Sequence, residues 1–254
     1  MHSTILTSPI LTLIPLATHV PAHPKPPLNL PTRTIAGVSL PDTPLIRSAH
    51  TLLQQHSNPT LYRHVMRSWL LGSLMLHHNS TPSSQIDPEV HAVSILLHDL
   101  GLGDTPGSPV VSPDRRFEVD GAIAARDFIT TRSIGPKRWD EHKVQLMWDA
   151  IALHTQLSVA VYKEPVVDAV ARGISLDFSG PGLGVTEEEY KKVVEEFPRD
   201  GFKTSVVETV SRLCRDKAGT TYDTWMQPFG EKFVEGYSAV GKRTIDGVLG
   251  LPDE

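Results

Sequence analysis

The chain has one cysteine, Cys214, in 254 residues. One thiol cannot close an intrachain disulfide, so a cystine-stapled scaffold is excluded and stability must come from a core. Such usage fits a reducing compartment, and the chain reads as cytoplasmic. Cys214 sits in the periodic stretch "VVETVSRLC" and reads as a small buried apolar residue rather than a nucleophile. No apolar segment reaches about 18–20 uncharged residues, so no transmembrane helix is expected. Excess positive charge is also missing. Lys and Arg total 24 against 29 Asp and Glu, a formal net charge of -5. That balance argues against nucleic acid or anionic membrane as partner and leaves a small-molecule substrate; a homo-oligomer stays open. A secretory signal would want an early basic region, yet no Lys or Arg precedes Lys25, and Pro9 and Pro15 cut the apolar centre. The N-terminus therefore reads as an arm, with a cleaved signal as the alternative.

What is present is enough apolar residue, 39%, for one substantial domain. Residues 1–44 form a Pro-rich arm ("PAHPKPPLNLP"), in which proline blocks helices and no defined structure is expected. Residues 45–240 read as a helical domain and 241–254 as a C-terminal tail. Helical periodicity and caps predict helices over 43–57, 58–78, 87–99, 117–131, 138–155, 164–178, 186–197 and 203–216. Asp87-Pro88 is an N-cap and first-turn pair, Thr186 with Glu189 a capping box, Gly101 a helix stop, and Gly173 an interruption. Alternating strand patterns are nearly absent. The fold class is all-α, a helical bundle behind the arm.

The stretch "SILLHDLGLGD" ends an apolar run in His98 and Asp99. Alone, such a pair is as readily a buried ion pair as two metal ligands. Further candidates stand at helix starts and ends: His64, Glu118, His154 and Asp177. Intervals of tens of residues are not zinc-finger spacing; they suit a bundle in which each helix lends a side chain to one core site. Imidazole and carboxylate together suit zinc, iron or manganese. Consecutive helical side chains diverge by about 100°, so His98 and Asp99 can share an ion only where the helix ends, as the following glycines suggest.

In this order, His64, His98-Asp99 and Asp177 resemble the H…HD…D signature of the HD-domain superfamily. With "YRHVMRSW", "LLHDLGLGD", "RFEVDGA", "AIALHTQ", "GISLDFSG" and "FPRDGF", the chain resembles the cyanamide hydratases within it, from about His50 to about Trp225. The resemblance implies an HD helical fold and a zinc-dependent hydratase that adds water to a nitrile, turning cyanamide into urea. It implies His64, His98, Asp99 and Asp177 as ligands of one divalent ion, zinc first, with iron or manganese as alternatives. Asp99 would accept a proton from water, and His154 or Glu118 would deliver one to the substrate nitrogen. The chain departs from the family beside the ligands, with Arg63 in place of an asparagine and Thr155-Gln156 in place of an acidic residue. These departures bear on the substrate more than on fold or metal. HD phosphohydrolases often carry a lysine soon after the HD pair, and "HDLGLGD" has none. A phosphohydrolase acting on a nucleotide or phosphate ester is the alternative, followed by a mixed-valent di-iron oxygenase and a non-enzymatic helical HD module. Asp168 competes with Asp177, His142 is a candidate for a second ion, and Asp104 could bond a ligand or cap its loop.

Overall fold

Helix boundaries fall where short polar side chains and prolines put them. Asn58 accepts from the backbone of Thr60 and Leu61 and opens the helix Pro59–His78 (α2). Thr43 caps Pro44–His56 (α1) through the amide of Ile46. Asp87 accepts from Glu89 and Val90 and starts Pro88–Leu97 (α3). The computed structural model describes residues 30–78, 86–103, 108–132 and 138–253. The chain goes on through Phe117–Thr131 (α4), Glu141–Leu153 (α5), the short Leu157–Ala160 (α6) and Pro165–Ser179 (α7). Glu187–Glu196 (α8), which opens with the expected capping box, and Phe202–Asp216 (α9) follow. Gln227–Phe233 (α10) and Thr244–Leu249 (α11) close the described chain. The fold is all-α. No helix among the described residues is long and apolar enough to cross a membrane.

The reading of the arm needs correction. The last third of the arm is ordered: Thr32–Ile35 (β1) and Val38–Pro41 (β2) pair antiparallel, Ile35 opposite Val38. Alternation in "VSLP" buries Val38 and Leu40 and exposes Ser39, a period-2 signal overshadowed by the prolines upstream. Residues 1–29 lie outside the described part. The stretch read as a C-terminal tail carries α11.

The core lies among α2, α3, α5 and α7, with α1 and α4 outside them. Glu89, almost fully buried, ties three segments together. It accepts from Thr43 before α1, from Trp139 Nε1 at 2.9 Å, and from the Arg138 guanidinium at 2.6 and 3.0 Å. Helices α2 and α7 pack most extensively. Gly173 does not interrupt α7. A Cβ there would stand 2.8 Å from the Cα of Gly72 on α2, so the glycine lets the two backbones approach.

The HD stretch is shaped by the same need for close approach. Helix α3 ends at Leu97, earlier than predicted, and a 3-10 turn over Leu100–Leu102 follows. A Cβ on Gly101 would lie 1.9 Å from the carbonyl oxygen of Phe117, so only glycine lets this turn rest on the start of α4. We expect Gly101→Ala to cost about 3 kcal/mol or more, read from thermal or denaturant unfolding. Gly219→Ala, where nothing lies within 4 Å, is the control and should stay within about 0.5 kcal/mol. Equal stabilities would contradict the close packing of turn on helix.

Candidate metal centre

Three histidines from three helices converge on one carboxylate. His64 Nε2 (α2) lies 3.6 Å from Asp99 Oδ2, and His98 Nε2, just after α3, lies 3.1 Å from the same oxygen. His154 Nε2, just after α5, lies 3.6 Å from Asp99 Oδ1. All four residues are buried.

The other ring nitrogen of each histidine is committed. Nδ1 of His98 is 2.7 Å from the carbonyl oxygen of Ile95, and Nδ1 of His154 is 2.7 Å from that of Ile151. A carbonyl only accepts, so each Nδ1 carries the hydrogen. His64 Nδ1 donates to Asp177 Oδ2 at 2.6 Å. With Nδ1 protonated, each neutral ring turns a bare Nε2 lone pair toward Asp99. Lone pairs facing a carboxylate repel unless a cation or proton lies between them. A proton on one ring satisfies that ring alone, whereas a cation satisfies several at once. His98 Nε2, fully buried, has no hydrogen-bond partner among the described residues. His64, His98 and Asp99 each offer an atom within 4.8 Å of the others, so this group could hold a metal ion.

The electrostatics suit a cation. Burial would raise the Asp99 pKa, but His98, His64 and His154 hold it well below the usual carboxylate range. Burial would lower that of His98, and the adjacent Asp99 charge raises it instead. A charge that holds a proton there attracts a metal ion at the same place. Burial, with His98 nearby, pushes His154 down to about 4.

Asp177 departs from the sequence reading. Its Oδ2 accepts from His64 Nδ1 and from Arg67 Nη2 at 2.9 Å, and its Oδ1 accepts from Arg67 Nε at 2.7 Å. Both oxygens are engaged, and the carboxylate meets His64 on the Nδ1 side. The structure thus places Asp177 behind His64 as its orienting partner instead of beside Asp99 as a ligand. Burial would raise the Asp177 pKa, and His64 and Arg67 bring it down to about 2.

Glu118 also departs from its expected part. It is buried but does not line the cavity, and it accepts from Arg116 at 2.5 Å and from the Thr155 hydroxyl at 2.6 Å. Burial would raise its pKa, and Arg116 with His154 lowers it, so it is held as a carboxylate without a proton to deliver. The Thr155 hydroxyl donates to this carboxylate, where an acid would face like charge. Arg63 turns away, to Thr60 Oγ1 and the carbonyl of Asp200. Asp168 pairs with Arg172 on its own helix, and His142 is exposed, so neither joins the group. Asp104 lies outside the described residues.

A cavity of about 370 Å³ opens over the group. Its wall includes Phe202, Ser205, Val206, Thr209 and Val210, one face of α9 at helical spacing, and Trp225 from the segment before α10. Sequence reasoning missed this wall, because a lining face and a core face share one periodicity. It missed Arg67 as well, although an arginine three residues after His64 on an apolar helix face was a visible signal.

No family model matches the chain, and a comparison with curated proteins finds no match. The likeness to cyanamide hydratases therefore rests on the motif residues themselves.

If Asp177 orients His64, Asp177→Asn should weaken zinc binding by about 10–100-fold, read by competition with a chromophoric chelator. Asp99→Ala should abolish it. Equal loss in both would return Asp177 to the ligands.

Proposed function

We propose that the chain is a metal-dependent hydratase or hydrolase of the HD type, adding water to a small, uncharged nitrile-like or amide-like substrate as cyanamide hydratases do. One observation carries this reading: three buried imidazoles with committed Nδ1 atoms turn their Nε2 atoms toward one carboxylate under an open cavity. His64, His98 and Asp99 would hold the ion, zinc before iron or manganese on this donor set. When bound, the ion would polarise the substrate and make water acidic near neutral pH.

The remaining work falls to the chain. Asp177 and Arg67 keep His64 turned inward. His154 Nε2 faces the cavity beside Asp99 and, in the tautomer set by Ile151, is a proton acceptor. It is placed to take a proton from water and return it to the substrate nitrogen. Hydration of a nitrile balances on that transfer: oxygen bonds to carbon, and both water hydrogens end on the product amide. Glu118 positions Thr155 in the wall. Among the described residues no Lys or Arg lines the cavity, which supports an uncharged substrate over a phosphate ester.

Urea release from cyanamide tests the reading. Protein stripped by chelator should be inactive, and reconstitution with zinc should restore turnover. His154→Ala should lower kcat by about 10²–10⁴-fold while the metal stays bound. Full activity after complete metal removal would sink the proposal.

A further inference from the structure

The cavity is larger and more apolar than cyanamide needs. A water occupies about 30 Å³ of liquid, so about 370 Å³ has room for on the order of ten such molecules. Cyanamide has three heavy atoms and would fill a small part of it. Pockets of roughly 300–1,000 Å³ hold ligands with sizeable apolar bodies.

The aromatic rings stand in two groups, one beside each outer histidine. On the His64 side, the Phe202 ring stacks at 5.1 Å and the Phe178 ring meets His64 edge-on at 5.3 Å. Phe178 and Phe202 also touch, at 5.3 Å between centroids. On the His154 side, Phe117 lies 5.7 Å from the imidazole and 6.5 Å from Trp225. All four rings line the cavity, with Val206 from α9 among the aliphatic wall. The other polar residues of the wall are the uncharged Thr60, Thr155, Ser175, Ser205 and Thr209. Phe178 is 56% exposed, and so much uncovered ring at the mouth is available to an apolar ligand.

We infer that the cavity selects an uncharged substrate bearing a flat apolar group, an aryl or one of similar size, next to the reacting nitrile or amide. The inference rests on the hydratase reading for the reacting end. The polar end would stand over Asp99 and His154, and the apolar group would lie among the Phe178–Phe202 and Phe117–Trp225 rings. For an N-aryl cyanamide the reaction would be ArNH–C≡N + H2O → ArNH–CO–NH2. Two C–N π bonds and two O–H bonds break, the C–O σ and π bonds and two N–H bonds form, and both hydrogens of water end on the product nitrogen.

Binding of the product pair to the zinc-loaded full chain decides it. Calorimetry should show N-phenylurea binding about tenfold or more tighter than urea, since the phenyl group leaves water for the rings. Phenyl phosphate should bind more weakly than N-phenylurea. Val206→Trp, or Thr209→Trp on the same face of α9, should weaken N-phenylurea about tenfold or more by filling the space. Circular dichroism checks that each variant is folded, and the wild-type comparison needs neither. N-phenylurea no tighter than urea, phenyl phosphate tighter than N-phenylurea, or folded tryptophan variants that bind unchanged would each overturn the inference. Turnover separates it from the reading beneath. Tight N-phenylurea with no hydration of cyanamide or phenylcyanamide sinks the hydratase and supports the apolar subsite. Urea release from cyanamide without preference for N-phenylurea does the reverse.

Discussion

A fully buried ion pair between α2 and α7 sets the direction of His64, one of the three histidines that converge on Asp99. Arg67 and Asp177 are both without solvent contact, and removing two charges from water costs several kcal/mol each. Two guanidinium bonds to the carboxylate, with two more to the carbonyls of Phe197 and Pro198, offset that cost. The pairing is bidentate, so it fixes orientation as well as distance. Gly72 and Gly173 let the helices come close enough for it to form. A further lone pair on Asp177 Oδ2 accepts the His64 Nδ1 hydrogen, and the inward direction of the Nε2 atom follows.

The other two histidines use a simpler device. His98 and His154 each follow the last residue of a helix, and each returns its Nδ1 hydrogen to the carbonyl three residues earlier. Carbonyls at a helix end lack intrahelical partners, so the bond satisfies the backbone and aims the ring together. Asp99 follows at the break between α3 and the 3-10 turn. Its placement depends on Gly101 lying against Phe117, and hence on α4. The segment entering α4 is held in turn by Lys217, buried at the end of α9, which bonds Asp120 and the carbonyl of Arg115. The wall helix and the floor are thereby connected.

Much of this was legible in the sequence. Asp87-Pro88, Asn58 and the Thr186–Glu189 box mark helix starts because capping is local chemistry. The sequence singles out His64, His98, Asp99 and His154 from their places at helix starts and ends, and the structure brings the four together. The part of Asp177 was not legible. Whether a carboxylate reaches an ion or the back of a histidine depends on the approach of two helices, which Gly173 and Arg67 determine. Glu118 is similar: its burial against Arg116 and Thr155 arises from segments 39 residues apart. The hairpin over 32–41 was missed because proline density upstream outweighed a four-residue alternation. The α9 wall was missed because periodicity states which face is apolar but not whether protein or cavity lies against it.

The central claim is that the convergent Nε2 atoms and Asp99 hold a divalent ion. Elemental analysis of the full chain after zinc loading and desalting tests it most directly, with His98→Ala and Glu118→Gln measured in parallel. The account predicts close to one ion per chain in the wild type and in Glu118→Gln, and loss of the ion in His98→Ala. A wild-type chain that retains no ion, or a His98→Ala chain that retains as much as wild type, would contradict it.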